Sequence, residues 1–349
     1  MKTEGMVEEA EKLLAIEKPG SFSISTIIPK DWLAMEEKAW DSKISSSESI
    51  KNHLNRKISS ELKKSIGARY ESEGECRAVF DYSSGKVELR RNELFIFGRY
   101  RKLAAGLSQS RWKCSGCDGK GCAKCEGKGR FYDSVEEKVG EPVKRAAGAD
   151  DYVMHASGRE DVDATNSAGR AFVMEIKNPK NRKINLDSIA GEIAGGGGVS
   201  VGDLRIVPRS FAEVVTESHF DKVYEAEVEF GRGLDEDDLK KMRSLEGKTI
   251  LQQTPTRVSH RRANLVRHRK IKHVEVVNIG QGTGERKLAT LIVRAEAGTY
   301  IKELISGDNG RTKPSVAELL GTKAECKKLN VSMIDDGFLD FCLEAIPEA

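Results

Sequence analysis

Apolar residues recur at helical spacing over residues 7–15, and Ser45–Ile66 sets Ile50, Leu54, Ile58, Leu62 and Ile66 four apart, which predicts two amphipathic helices. Around them the period drops to two. Ser21–Ile28, Cys76–Tyr82, Lys86–Arg90 and Leu94–Tyr100 alternate as half-buried strands do, with Ser83-Ser84-Gly85 as a turn. Helices and strands of this kind must cover each other's apolar faces, so residues 1–110 are expected to form an α+β accessory domain. After a helix expected at Ser134–Ala147, strand patterns fall at Phe172–Ile176, Asp203–Val207, Lys222–Phe230, Thr249–Gln253, Lys270–Val277 and Leu288–Glu296. Helical patterns fall at Leu186–Ala194, Leu234–Ser244 and Ser315–Leu320. The mixture lacks the strict alternation of a doubly wound sheet, and predicts a second α+β domain over 134–349. Gly195-Gly196-Gly197-Gly198 reads as a loop, since no lysine-serine pair or following helix makes it a phosphate cradle.

A chain of 349 residues fits two domains and a small insert. The insert is expected at 111–133, where Cys114, Cys117, Cys122 and Cys125 form two Cys-x-x-Cys knuckles four residues apart, with glycines between them. Four thiolates at that spacing predict a closed, structural zinc site and no organic cofactor. Cys76, Cys326 and Cys342 read as isolated thiols of a reducing compartment. Met1–Ala10 has neither the basic leader nor the apolar stretch of a secretory signal, and no segment is apolar for long enough to span a membrane; a cytoplasmic protein is expected.

The formal net charge is only +3. Its distribution says more than its sum: between Glu246 and Glu275 there is no acidic residue, while Arg257, Arg261, Arg262, Arg267, Arg269, Lys270 and Lys272 fall there with three histidines. Such a window suits contact with a nucleic-acid backbone. The candidate chemistry lies elsewhere, in Ser157-Gly158-Arg159-Glu160-Asp161-Val162-Asp163-Ala164, where carboxylates and an arginine share a loop between apolar segments. A carboxylate beside a cation stays ionised, and a guanidinium two residues away can engage phosphate or displace a base.

That loop resembles the Gly-Arg-x-Asp segment of pseudouridine synthases. The resemblance to the archaeal tRNA pseudouridine(54/55) synthase family extends through Asp221–Ala226, Gln253–Arg262, Ala297–Leu304 and Asp308–Thr312, in the family's order. It implies an α+β pseudouridine synthase fold, a mixed and mainly antiparallel sheet with a central cleft, behind an N-terminal THUMP-like RNA-binding domain and a zinc knuckle. In that domain Gly98-Arg99-Tyr100-Arg101-Lys102 is a basic strand end. The resemblance implies an isomerase acting on uridines 54 and 55 of the tRNA T loop, with tRNA as partner and no obligate protein partner.

By the same resemblance Asp161 acts on the ribose, as nucleophile or as base; Lys302 is its basic partner; Tyr224 stacks on the target base and assists loss of the C5 proton. Ile301 and Leu329 floor the uracil pocket, Arg159 contacts phosphate or fills the place of the flipped base, and Arg257, Arg261 and Arg262 contact RNA. Many members of that family carry a further cysteine pair near the N-terminus; none precedes Cys76 here, so only the second metal feature carries over. Two alternatives stand beside this reading. One is a zinc-containing RNA-binding protein without catalysis. The other is a metal-dependent nuclease, for which Asp163, Glu175 and Lys177 imitate the ligand set.

Overall fold

The computed structural model describes residues 3–41, 48–281 and 287–346, apart from the side chains of His260, Arg261 and Gln281. Chain contacts divide it into two compact units, one made of Met1–Leu94, Ala146–Tyr152 and Ile176–Ile184, the other of Phe95–Arg145, Val153–Glu175 and Asn185–Ala349.

In the first unit α1 (Thr3–Glu17), β1 (Ser21–Ile27), α2 (Lys30–Asp41), α3 (Ile50–Ser65), β2 (Arg69–Tyr70), β3 (Cys76–Asp81) and β4 (Lys86–Arg91) follow one another. The strands form a four-stranded sheet in the order β2-β1-β3-β4, parallel between β1 and its two neighbours and antiparallel between β3 and β4. The helix expected from Ser45 starts at Ile50, where Ser49 caps it by accepting from Asn52 N; residues 45–47 lie outside the described residues. Met6, Ala10 and Leu14 of α1 and Ile58 and Leu62 of α3 close a core over Phe22, Ala78 and Phe80. The two periodicities thus meet as the α+β packing they require.

The second unit takes most of β5 (Leu94–Lys102), α4 (Val135–Ala147), β6 (Asp151–Ala156) and β7 (Thr165–Lys177), and all of α5 (Leu186–Gly195), β8 (Val199–Val207), α6 (Ser210–Glu217) and β9 (Lys222–Phe230). It continues through α7 (Glu236–Arg243), β10 (Thr249–Gln253), β11 (Val266–Gln281), β12 (Lys287–Ala295), α8 (Ile301–Ser306), β13 (Thr312–Lys313), α9 (Val316–Leu320), β14 (Ala324–Ile334) and α10 (Gly337–Glu344). A ten-stranded sheet runs β13-β10-β11-β12-β9-β14-β7-β5-β8, with β6 beside β7. The expected mixed and mainly antiparallel sheet is present. Its pairs β11–β12, β12–β9, β14–β9 and β5–β8 are antiparallel, whereas β14 and β7 meet in parallel at Asn330 with Thr165 and Val331 with Asn166.

That parallel seam positions the site. Val331 pairs with Asn166 on one side and Tyr224 on the other, so a single row across three strands leads from Tyr224 to the start of β7. The Ser157–Ala164 loop ends one residue before β7. Strict alternation in β9 and β12 gives each a buried face, with Ala226, Val228, Leu291 and Val293 in the core.

One expectation changes. The basic strand read as the end of the accessory domain, Leu94–Lys102, lies in the large sheet beside β8. Tyr100 and Lys102 are fully buried within it. The apolar run Leu94–Phe97 is buried at every position, as befits an interior strand and not the edge of a small sheet. The glycine tract takes up the end of α5 and the turn into β8. No helix among the described residues is long and apolar enough to cross a membrane.

Candidate active site

A cleft of about 550 Å³ opens over the seam, lined by the Ala156–Asp161 loop, the end of α6, Tyr224, Leu329 and Val331, and the start of α8. Arg257, Arg262, Arg267 and Arg269 also line it, from the segment that follows β10 and from β11. Segments far apart in sequence therefore share one wall, and their backbone explains how. Gln252, fully buried on β10, donates from Nε2 to the Tyr300 carbonyl at 2.9 Å, and its Oε1 accepts from Tyr300 N at 2.9 Å. This two-point clamp fixes the residue that opens α8, so Ile301 and Lys302 project from a set position.

Asp161 Oδ2 lies 2.8 Å from Arg257 Nη1 and 3.9 Å from Lys302 Nζ. Arg257 also donates from Nε to Glu303 at 2.7 Å. Burial works against the guanidinium's charge, but the Glu303 and Asp161 carboxylates outweigh it and hold its pKa above the ordinary arginine value. Lys302, the basic partner that the resemblance gives to Asp161, reaches both oxygens of Asp163 at 2.6 Å. Partial burial would raise the Asp163 pKa, yet the bond from Lys302 carries it below the usual carboxylate range. The closer cation to Asp161 is Arg257.

Beneath the loop lies a network for which no sequence motif speaks. Glu160 and Arg170 form an ion pair with Nε to Oε2 at 2.9 Å, both side chains only 2% exposed. Arg170 Nη1 donates to the Ser157 carbonyl at 2.9 Å, Tyr100 donates its hydroxyl to Glu160 at 3.0 Å, and Gln109 Nε2 donates to the Gly158 carbonyl at 2.7 Å. Lys102 Nζ donates to the carbonyls of Asp161 and Val162 at 2.8 and 2.9 Å. Burial lowers the Lys102 pKa and raises that of Tyr100 far above its ordinary value. Gly158 has φ +88°, a conformation that favours glycine, and a Cβ there would also crowd Arg170 Nη1 at 3.3 Å. With the carbonyls of Ser157, Gly158, Asp161 and Val162 tied down, the carboxylate is presented from a rigid frame.

Tyr224 is 8% exposed, and burial first of all pushes its phenol up to about 12, so it stays protonated at neutral pH. Ile301 and Leu329 are buried and line the cleft, Arg159 is exposed at its rim, and Arg262 donates to the Tyr300 hydroxyl at 3.2 Å. The side chain of Arg261 lies outside the described residues. Lys222, absent from the expected set, lines the cleft and donates to the Phe220 carbonyl at 2.8 Å; burial, with Arg170 nearby, pushes it down to about 8. Its signal in the sequence was a lysine on the inward phase of an alternating strand. Of the residues that imitate a nuclease, Asp163 is engaged by Lys302 and Glu175 by His155 Nε2 at 2.8 Å.

The sulfurs of Cys114, Cys117, Cys122 and Cys125 all lie within 4.8 Å of one another. The separations are 3.9 Å for Cys114–Cys122 and 3.8 Å for both Cys117–Cys125 and Cys122–Cys125. A tetrahedron with metal–sulfur bonds of about 2.3 Å has edges of about 3.8 Å, so the four thiols fit a metal ion. Backbone N–H groups of Gly121, Cys122 and Gly129 donate to these sulfurs at 3.2 Å, as suits thiolate ligands. Among the described residues it is the one such cluster of histidine, cysteine and carboxylate donors.

A mainly antiparallel sheet thus carries an aspartate loop over its seam, in a cleft rimmed by arginines, as the resemblance implies. Residues 95–335 match the family model described as Pus10, C-terminal, and the chain belongs to that family. The chain is 40% identical over 289 residues to the tRNA pseudouridine synthase Pus10 of Methanothrix thermoacetophila; the match takes in 81% of this chain and 63% of that protein. It is also 40% identical over 289 residues to the namesake from Korarchaeum cryptofilum, again over 81% of this chain and 76% of the relative. Among solved structures, the crystal structure of a Cbf5-Nop10-Gar1 complex has a chain similar to it at 19% identity and a TM-score of 0.33, over 55% of this chain and 43% of that one.

Proposed function

We propose that this chain isomerises uridine to pseudouridine in tRNA, acting in the T loop at positions 54 and 55. The observation that carries the reading is Asp161, a carboxylate paired with Arg257, held by a buried frame and facing a cleft shared with Tyr224. In the reaction the bond from N1 to C1′ breaks, the uracil turns in place, and a bond from C5 to C1′ forms. The C5 proton leaves and N1 gains one. Asp161 serves as nucleophile at C1′ or as base on a ribose proton. The Arg257 guanidinium lies 2.8 Å from its carboxylate, and Lys302 adds positive charge 3.9 Å away.

Tyr224 stacks on the uracil over a floor of Ile301 and Leu329, and its neutral hydroxyl assists loss of the C5 proton as a relay, accepting that proton while passing its own to water. A uridine packed within a tRNA elbow reaches this cleft only by flipping out, and Arg159 at the rim meets its phosphate or the gap it leaves. Arg257 thus positions Asp161, while Arg261 and Arg262 contact the RNA backbone. The N-terminal unit grips tRNA outside the modified loop, in the manner of a THUMP-like domain. Zinc is the ion assigned to the four cysteines, in a structural role with no open position. The working compartment is the cytoplasm.

The test is release of tritium from C5-labelled uridine in an unmodified tRNA transcript, with the modified position mapped and Asp161→Ala run alongside. Release from the T loop that vanishes in the variant, with tRNA binding retained, is the expected result. Tight binding without release points instead to an RNA-binding protein without catalysis.

A further inference from the structure

A second cavity of about 230 Å³ adjoins the cleft and shares Gln109, Arg159, Glu160, Asp161, Arg257 and Lys302 with it. Its far wall is Trp112 and Tyr132, whose rings meet edge to face at 6.4 Å and 78°. These two residues come from the two stems of the cysteine knuckle. Lys113 and Arg130 form an antiparallel bridge, Cys114 N donates to the Gly129 carbonyl at 2.7 Å, and Ser108 bridges Ser134. The Arg111 amide donates to Glu136 at 2.9 Å, anchoring one stem to α4. The metal ligands lie just beyond these stems, so an ion held by the cysteines closes the knuckle and fixes the aromatic wall beside Asp161.

Resting on the isomerase reading above, we infer that Trp112 and Tyr132 form a stacking subsite for a nucleobase next to the target uridine on the same RNA strand. The slot is continuous with the catalytic cleft, so the chain that delivers the target passes it. Arg159 stands between the two cavities, where a connecting phosphate would lie, beside Arg257 and Lys302, which the Asp161, Glu303 and Asp163 carboxylates hold in place. Once the target flips, its neighbour loses a stacking partner, and an aromatic face replaces that contact whatever the base. The knuckle then has two tasks, to hold a metal and to present this wall.

Trp32, Trp40 and Trp112 are the three tryptophans of the chain. In a Trp32→Phe/Trp40→Phe background Trp112 alone reports, and an unmodified tRNA transcript should quench its emission. The same transcript with an abasic residue immediately 5′ or immediately 3′ of the target should lose that quenching in one of the two arms. In turnover assays Trp112→Ala and Tyr132→Ala should each raise KM about tenfold with kcat little changed, and Trp112→Phe should restore KM. Metal content of each variant is measured, and a variant that has lost its ion leaves the decision to the abasic arms, which leave the knuckle intact. Equal quenching by all three RNAs overturns the subsite, as does an unchanged KM in both metal-loaded alanine variants. A wild-type chain that isomerises uridine under those outcomes keeps its function and loses only the subsite. Abasic-sensitive quenching without any isomerisation keeps the subsite and removes the isomerase reading.

Discussion

Arg170 shows what a single buried charge can do for the loop above it. It sits on β7 among Ala171, Phe172 and Val173, fully buried, with its charge answered by Glu160 and a backbone carbonyl. Removing it leaves Glu160 buried and unpaired, so Arg170→Ala should cost about 3–5 kcal/mol in denaturant unfolding, while Glu160→Gln, which keeps hydrogen bonds, should cost less. Lys222 gives a second prediction. Its folded pKa of about 8 lies below the ordinary 10.5, so between those values the unfolded chain binds the extra proton. Stability linked to this residue must therefore rise as pH climbs from about 8 towards 10.5, and Lys222→Met should flatten that rise in melting temperature. The sequence points to Asp161, Tyr224 and Lys302 because they stand in short ordered blocks, and the fold brings them to one cleft. It passes over Arg170 and reads Tyr100 and Lys102 as part of a basic strand end, since nothing local marks a polar side chain that will be buried against its partner. Their partners lie in other segments.

Elements were legible where one period ran unbroken. The span of β9 matches its expected bounds because Lys222–Phe230 alternates throughout, and α5 and α9 fall within a residue of theirs. Helices α6, α8 and α10 went unread because none begins with a side-chain N-cap, whereas α7 and α9, no longer than they are, are marked by the caps Asp235 and Ser315. β14 hides for another reason: register shifts between Cys326 and Lys328 and between Val331 and Met333 break its alternation. The knuckle is the opposite case, since ligand spacing marks it without any periodicity. It has no apolar core of its own, so its stems depend on the metal. Chelation, or Cys114→Ser, should release one ion per chain and expose the Lys113–Arg130 stem to protease, with α1 and α3 retaining their helical signal. A knuckle that stays protected after its ion has gone would contradict this account.

At the scale of the molecule, a net charge of +3 is too small to hold a polyanion, so binding must come from how charge is placed. The cleft gathers Arg159, Arg257, Arg262, Arg267 and Arg269; Arg257 is paired with the Asp161 and Glu303 carboxylates, and Arg262 donates to the Tyr300 hydroxyl. Arg267 and Arg269 bond backbone carbonyls and the Thr254 hydroxyl, with no carboxylate partner among the described residues, and their charge is left for phosphate. Each phosphate neutralised releases counterions, so affinity for a tRNA transcript should fall steeply with salt, and the slope counts contacts where affinity alone does not. Arg267→Gln with Arg269→Gln should flatten the slope of log Kd against log salt by about 1–2. Lys241→Gln removes the same kind of charge from α7, where Lys241 pairs with Asp237, and should leave the slope as it was. Equal flattening by Lys241→Gln would mean that the field of the whole surface governs binding; an unchanged slope in the double variant would place the RNA backbone away from this wall of the cleft.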